Sequence, residues 1–168
     1  MNIQEQTEIF DDWVRQHRGL LFKIVRSYSR DRHDQEDLMQ ELLVQVWRSV
    51  PGFKGQSAVS TWLYRVGLYS AIAWSKRDAK QRFNTNDPAV AKHLIQLDDQ
   101  PSDTRLEWIY DQINKLDEID RSIALMWLDD RPYQEIAGTL GITSTHVGVK
   151  LNRIKQKLSE ALQRESQR

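Results

Sequence analysis

The sequence predicts an all-α protein made of two small helical domains joined by a flexible linker. Three observations carry this. The 168 residues include only 7 Gly and 4 Pro, while the strong helix formers Ala, Leu, Gln, Arg and Glu are plentiful. Apolar residues recur at three- and four-residue spacing in both halves of the chain. Between the halves, residues 78–104 hold two prolines, several Asn, Gln and Asp, and only scattered apolar side chains (Phe83, Val90, Leu94, Ile95, Leu97). No stretch reads as a strand.

In the first half, Ile9, Phe10, Trp13, Leu20, Leu21, Ile24, Val25 and Tyr28 predict a helix over residues 8–29. Asp34 is expected to cap the next helix, with Asp37 answering it three residues on. That helix carries Leu38, Leu42, Leu43, Val46 and Trp47 and stops before Pro51-Gly52. Ser57 or Ser60 is expected to cap a third helix bearing Trp62, Leu63, Val66, Leu68, Tyr69, Ile72, Ala73 and Trp74. Trp13, Trp47, Trp62 and Trp74 would fill one small core, giving a first domain over residues 1–77. Residues 78–104 are read as a mildly acidic tether with one helical turn around Val90 to Leu97.

Helicity returns in a second domain over residues 105–168. Leu106, Ile109, Ile113 and Leu116 form one stripe. Ile119, Ile123, Leu125, Met126 and Leu128 mark a second helix, Tyr133 to Leu140 a third, and Ser144 to about Gln163 a fourth.

The formal net charge is +0, which excludes a protein that coats nucleic acid by bulk attraction. The local pattern is not neutral. Residues 31–47 hold the acids Asp31, Asp34, Glu36, Asp37 and Glu41 against Arg32 alone. Residues 48–77 hold the bases Arg48, Lys54, Arg65, Lys76 and Arg77 and no acid. The order repeats later: residues 105–141 are mainly acidic and 142–168 mainly basic. Two acid-then-base modules imply that each touches different partners with its two parts.

With no cysteine, disulfides and thiolate metal sites are excluded, and neither a metal nor a cofactor is expected. Residues 1–12 lack the basic-then-apolar order of a signal peptide, and no run approaches a membrane span. A cytoplasmic protein without direct membrane insertion is expected. No paired carboxylates stand beside a His, and no glycine-rich phosphate loop or nucleophile motif is present. Catalytic residues are therefore not assigned, and an enzyme is not expected.

The strongest motif runs from Tyr133 to Arg153, YQEIAGTLGITSTHVGVKLNR. Ala137 is small where two helices cross, and Gly141 sits at a turn that needs a left-handed backbone. Ile142 plugs the corner, Thr143 or Ser144 caps the next helix, and Val147, Leu151, Ile154 and Leu158 form its buried stripe. This is the pattern of a helix-turn-helix whose second helix enters the major groove. Its outer face should carry Thr145, His146, Gly148, Lys150, Asn152, Arg153, Lys155 and Lys157. Asn152 suits adenine and Arg153 guanine; Lys155 and Lys157 suit phosphates. His146 has no partner at i+4 and is not read as a metal ligand.

Two further stretches, DQEDLMQEL from Asp34 to Leu42 and FKGQSAVSTWLYRV from Phe53 to Val66, resemble region 2 of the extracytoplasmic-function sigma factors of bacterial RNA polymerase. The helix-turn-helix, with Leu116 to Pro132 before it, resembles their region 4. The order and spacing of the motifs, with no domain between them, make the resemblance specific.

The resemblance implies a factor that lends core polymerase promoter recognition. Asp34, Asp37, Gln40, Glu41 and Trp47 would dock on clamp helices of the largest polymerase subunit. Phe53, Lys54, Gly55, Ser57, Ser60, Thr61, Trp62, Arg65 and Tyr69 would engage the minus-ten element. The loop would hold a flipped base, because aromatic stacking returns the unstacking cost. Thr145, His146, Gly148, Val149, Lys150, Asn152, Arg153 and Lys157 would meet the minus-thirty-five element. The apolar first half of region 4 would sit on the flap of the second-largest subunit, and the linker would thread toward the active centre. An anti-sigma factor is a further partner the resemblance admits.

Tyr69, Gly148 and Val149 depart from the residues many members carry, so a promoter sequence is not carried over. From the residues alone, a helix-turn-helix regulator that binds duplex DNA as a dimer is the alternative.

Overall fold

The computed structural model describes residues 1–77, 89–97 and 103–168, with the backbone alone for residues 89, 90 and 97. The described residues are helical, without strands. They fall into two compact units, Met1–Ser102 and Asp103–Arg168.

The first unit begins with α1, Ile3–Gln16, and α2, Arg18–Tyr28. The single helix expected over residues 8–29 is thus broken at His17, whose backbone (φ −119°, ψ 25°) leaves the helical region. The apolar spacing runs straight through this corner, which is why periodicity does not reveal it. Asn2 caps α1, accepting from the Glu5 N–H at 2.8 Å. Helix α2 buries Leu20, Leu21, Ile24, Val25 and Tyr28, the expected stripe.

Helix α3, Arg32–Ser49, is capped by Asp31, whose side chain accepts from the Asp34 N–H at 2.8 Å. Asp34 is therefore the third residue inside the helix and not its cap. A 3₁₀ turn at Val50–Gly52 follows, then α4, Val59–Lys76. The residue before α4 is Ala58, and no side chain caps it; neither Ser57 nor Ser60 takes the role expected of it. Trp13 and Trp74 are core residues, whereas Trp47 and Trp62 are half-buried at its rim. Gly67 lets α4 approach α2 closely: a Cβ there would lie 2.7 Å from Ile24 Cδ1.

Of the segment read as a tether, residues 78–88 and 98–102 lie outside the described residues. The described part is α5, Ala89–Leu97, a full nine-residue helix in place of one turn. It packs on α3 and buries Ala91, Leu94 and Ile95, which fall at the i, i+3, i+4 spacing of one helical face. An apolar stripe this short is a weak signal until a neighbour covers it.

The second unit comprises α6, Thr104–Asn114; α7, Glu118–Leu128; α8, Tyr133–Leu140; and α9, Ser144–Ser166. Asp103 and Asp117 cap α6 and α7. Ile113, Leu116, Ile123, Leu125, Met126, Ile136, Ala137, Val147, Leu151 and Ile154 build its core. Leu106, Ile119 and Leu128, expected in apolar stripes, are exposed.

Candidate nucleic-acid interface

The acidic helix α3 is more engaged with its own unit than its charge pattern suggests. Asp37 Oδ2 accepts the indole N–H of Trp74 at 2.9 Å. Glu41 Oε1 accepts from Gln45 Nε2 at 3.1 Å and pairs with Arg77 at 3.3 Å. Gln40 is buried. Trp47 meets α1 by two bonds: its carbonyl accepts from Gln6 Nε2 at 2.7 Å, and its indole N–H reaches Thr7 Oγ1 at 3.4 Å. Glu36 pairs with Arg32 one turn back. Asp34 stays half-exposed in the first turn of the helix. The five residues expected on one docking face thus divide: Asp37, Glu41 and Trp47 also fasten α3 to its neighbours, and Gln40 faces inward.

The loop after the 3₁₀ turn is built on aromatics. The Phe53 ring stands edge-on to Trp13 at 5.2 Å between centroids and tilts against Trp62 at 5.6 Å. Edge-to-face geometry of this kind adds about 0.5–1.5 kcal/mol per pair beyond area burial. The Trp62 indole N–H donates to Ser49 Oγ at 3.1 Å, which pins the ring to the end of α3. Above this base, residues 54–58 are all exposed, and Gly55 takes φ +70°, a left-handed backbone that glycine adopts without strain. Ser60 and Thr61 are half-buried at the start of α4. Arg65, Tyr69, Ala73 and Lys76 then form an exposed line along α4. Ala73 and Lys76 extend the expected strip, and their i+4 and i+7 spacing from Tyr69 is the signal that could have placed them.

In the second unit the turn forms as expected. Gly141 adopts φ 71°, ψ 32° after α8, and the Ile142 N–H donates to the Ala137 carbonyl at 3.1 Å. Thr143 is the cap of α9, accepting from the His146 N–H at 3.1 Å. Val147, Leu151 and Ile154 face the core, while Leu158 is half-buried. Thr145, His146, Val149, Asn152 and Arg153 are exposed along the first half of α9.

Three of the residues expected to meet DNA also have neighbours within their own unit. Lys150 pairs with Asp120 of α7 at 3.3 Å. The Lys155 ammonium lies 4.9 Å from the Trp127 ring centroid, a cation–π contact. Lys157 lines a groove of 190 Å³ between α6 and α9, with Lys115, Leu116, Leu158 and Arg164. The partners of Lys150 and Lys155 lie roughly thirty residues upstream, beyond the reach of local patterns. Gly148 is half-exposed, and a Cβ there would sit 3.7 Å from the Tyr133 ring.

Among the described residues, no group of three His, Cys, Asp or Glu side chains could hold a metal ion. Among them, no helix is long and apolar enough to cross a membrane.

Comparisons with known proteins agree with these two units. The Sigma-70 region 2 family matches residues 13–82, and the Sigma-70, region 4 family matches residues 106–158. The RNA polymerase sigma factor YlaC of Bacillus subtilis is 25% identical over 155 residues, covering 89% of this chain and 90% of its own. The ECF RNA polymerase sigma-E factor of Haemophilus influenzae is 28% identical, covering 86% and 80%. In fold, the chain resembles CnrH, solved in complex with the cytosolic domain of CnrY, at a TM-score of 0.64 and 22% identity over 94% of this chain and 89% of that one. With regions 2 and 4 matched in order and relatives aligned along most of its length, the chain belongs to the sigma-70 family as an RNA polymerase sigma factor of the extracytoplasmic-function type.

Proposed function

We propose that this sigma factor binds core polymerase through α3, opens the promoter with the loop before α4, and reads upstream duplex with α9. One observation carries the strand-opening part. An exposed loop containing Lys54, with no acid in it, stands on the chain of rings Trp13, Phe53 and Trp62. Such a surface can stack an unpaired base, worth about 1–3 kcal/mol, against an unstacking cost of similar size. Arg65 and Lys76 continue it for the backbone of the opened strand, and Tyr69 offers a further stacking surface.

Core binding would use the outward parts of Asp34, Asp37, Glu41 and Trp47. A carboxylate has about four acceptor sites, so Asp37 can hold Trp74 and still receive a polymerase cation. The exposed Leu106, Ile119 and Leu128 fit an apolar contact of region 4 with the flap. Because the work is done on polymerase, the protein would act in the cytoplasm, without catalytic residues of its own. The complex of CnrH with CnrY suggests extending the reading to a protein partner, an anti-sigma factor, that competes with polymerase.

The test is transcription by purified core polymerase, with and without this protein, on a promoter library. Promoter-dependent transcripts that need the protein are expected. Absence of both core binding and such transcripts would overturn the reading. Within it, Trp62→Ala and Arg65→Ala should block strand opening with core binding intact.

A further inference from the structure

The centre of the outward crest of α9 is uncharged, with the exposed His146 and Arg153 along one edge of it. Val147 and Leu151 are buried, and Val149, midway between them, is turned to the opposite side by the 3.6-residue period. Thr145 and Asn152, at i−4 and i+3 from Val149, share that side and are exposed. Val149 itself is 46% exposed. Lys150 and Lys155, which flank the crest, are turned aside to Asp120 and Trp127.

An isolated exposed valine needs no explanation. Here, however, a β-branched residue of modest helix propensity sits at the centre of the surface that a helix-turn-helix lays in the major groove. Its neighbour Gly148 has no side chain to hold the helix away from the groove floor, and the Tyr133 ring closes the space behind that glycine.

We propose that Val149 reads the C5-methyl group of a thymine in the upstream promoter element, beside an adenine read by Asn152. This rests on the reading of α9 as the duplex-binding helix and names what it recognises. Thymine is the base that presents a methyl group in the major groove, and apolar side chains select it by excluding water from that methyl. Asn152, one turn along the same face, has the paired donor and acceptor that match adenine N7 and N6. Arg153 is left at the edge of the crest for guanine or phosphate.

The test uses holoenzyme assembled from the full chain and core polymerase. A randomised upstream duplex is selected for binding, and each thymine of the enriched element is then replaced by deoxyuridine. That change removes the methyl and leaves base pairing intact. At one thymine, replacement should weaken binding by about three- to fivefold, the effect of burying a single methyl group. Val149→Ala holoenzyme should bind the thymine form as weakly as the unaltered holoenzyme binds the uracil form, and should not distinguish the two. Indifference of the unaltered holoenzyme to every replacement, or full discrimination by Val149→Ala, would overturn the proposal while leaving duplex reading intact. If no upstream element is enriched, duplex reading by α9 fails and this proposal fails with it.

Discussion

The indole N–H of Trp74 donates to Asp37 Oδ2 at 2.9 Å, joining α4 to the acidic helix α3. One carboxylate thus serves the fold and, on the proposed function, the polymerase.

The two roles can be separated. Asp37→Ala should lose about 1.5–3 kcal/mol of stability, the usual worth of a hydrogen bond to a charged group. Asp37→Asn keeps an acceptor for Trp74 but removes the charge. Urea denaturation should find it close to the unaltered protein, while its affinity for core polymerase falls as in the alanine variant. Unchanged core affinity for Asp37→Asn would remove this residue from the docking surface.

Gly141 is held at φ 71° between α8 and α9. Gly141→Ala should cost about 1–2 kcal/mol, the penalty for an L-residue in the left-handed region. Gly141→Asn should cost less, because Asn tolerates that backbone better than Ala does. Thermal unfolding of the two variants gives the comparison, and equal losses would show that conformation is not the cause.

Thr139 is buried in α8, and its hydroxyl has no hydrogen-bond partner. Thr139→Val keeps the branched shape and removes the desolvated oxygen, so unit 2 should gain about 1 kcal/mol. A loss in denaturant titration would mean that the hydroxyl is satisfied in solution.

At Gly67, a Cβ would come within 2.7 Å of Ile24 Cδ1, and Ile24 is fully buried with little room to turn. Gly67→Ala should destabilise by about 1–2 kcal/mol, overpacking outweighing the gain in helix propensity. Adding Ile24→Val removes the clashing methyl and should recover most of the loss. Simple additivity of the two changes would argue against the clash.

What could be read from the chain follows from how local each signal is. The span of α8, the left-handed Gly141 and the buried stripe of α9 depend on spacings of a few residues, and all were legible. The corner at His17 was not, because apolar spacing continues through it and neither Gly nor Pro stands at the break. The start of α3 was misplaced because Asp31 and Asp34 are both good caps, and local chemistry does not choose between them. Helix α5 was read as a single turn because its three buried residues gain their meaning from α3. The largest gap concerns charge. Asp37, Glu41, Lys150 and Lys155 looked like outward-facing groups, yet each has a partner far along the sequence that only the folded chain brings near.

The ring chain beneath the exposed loop has a practical consequence. Trp13 and Trp62 flank Phe53, so two natural fluorophores sit at the proposed site of strand capture. A base stacking there would alter their emission directly. Promoter opening could then be followed in real time on an unlabelled protein, with Trp62→Phe removing the share of the six-tryptophan emission that reports from the loop.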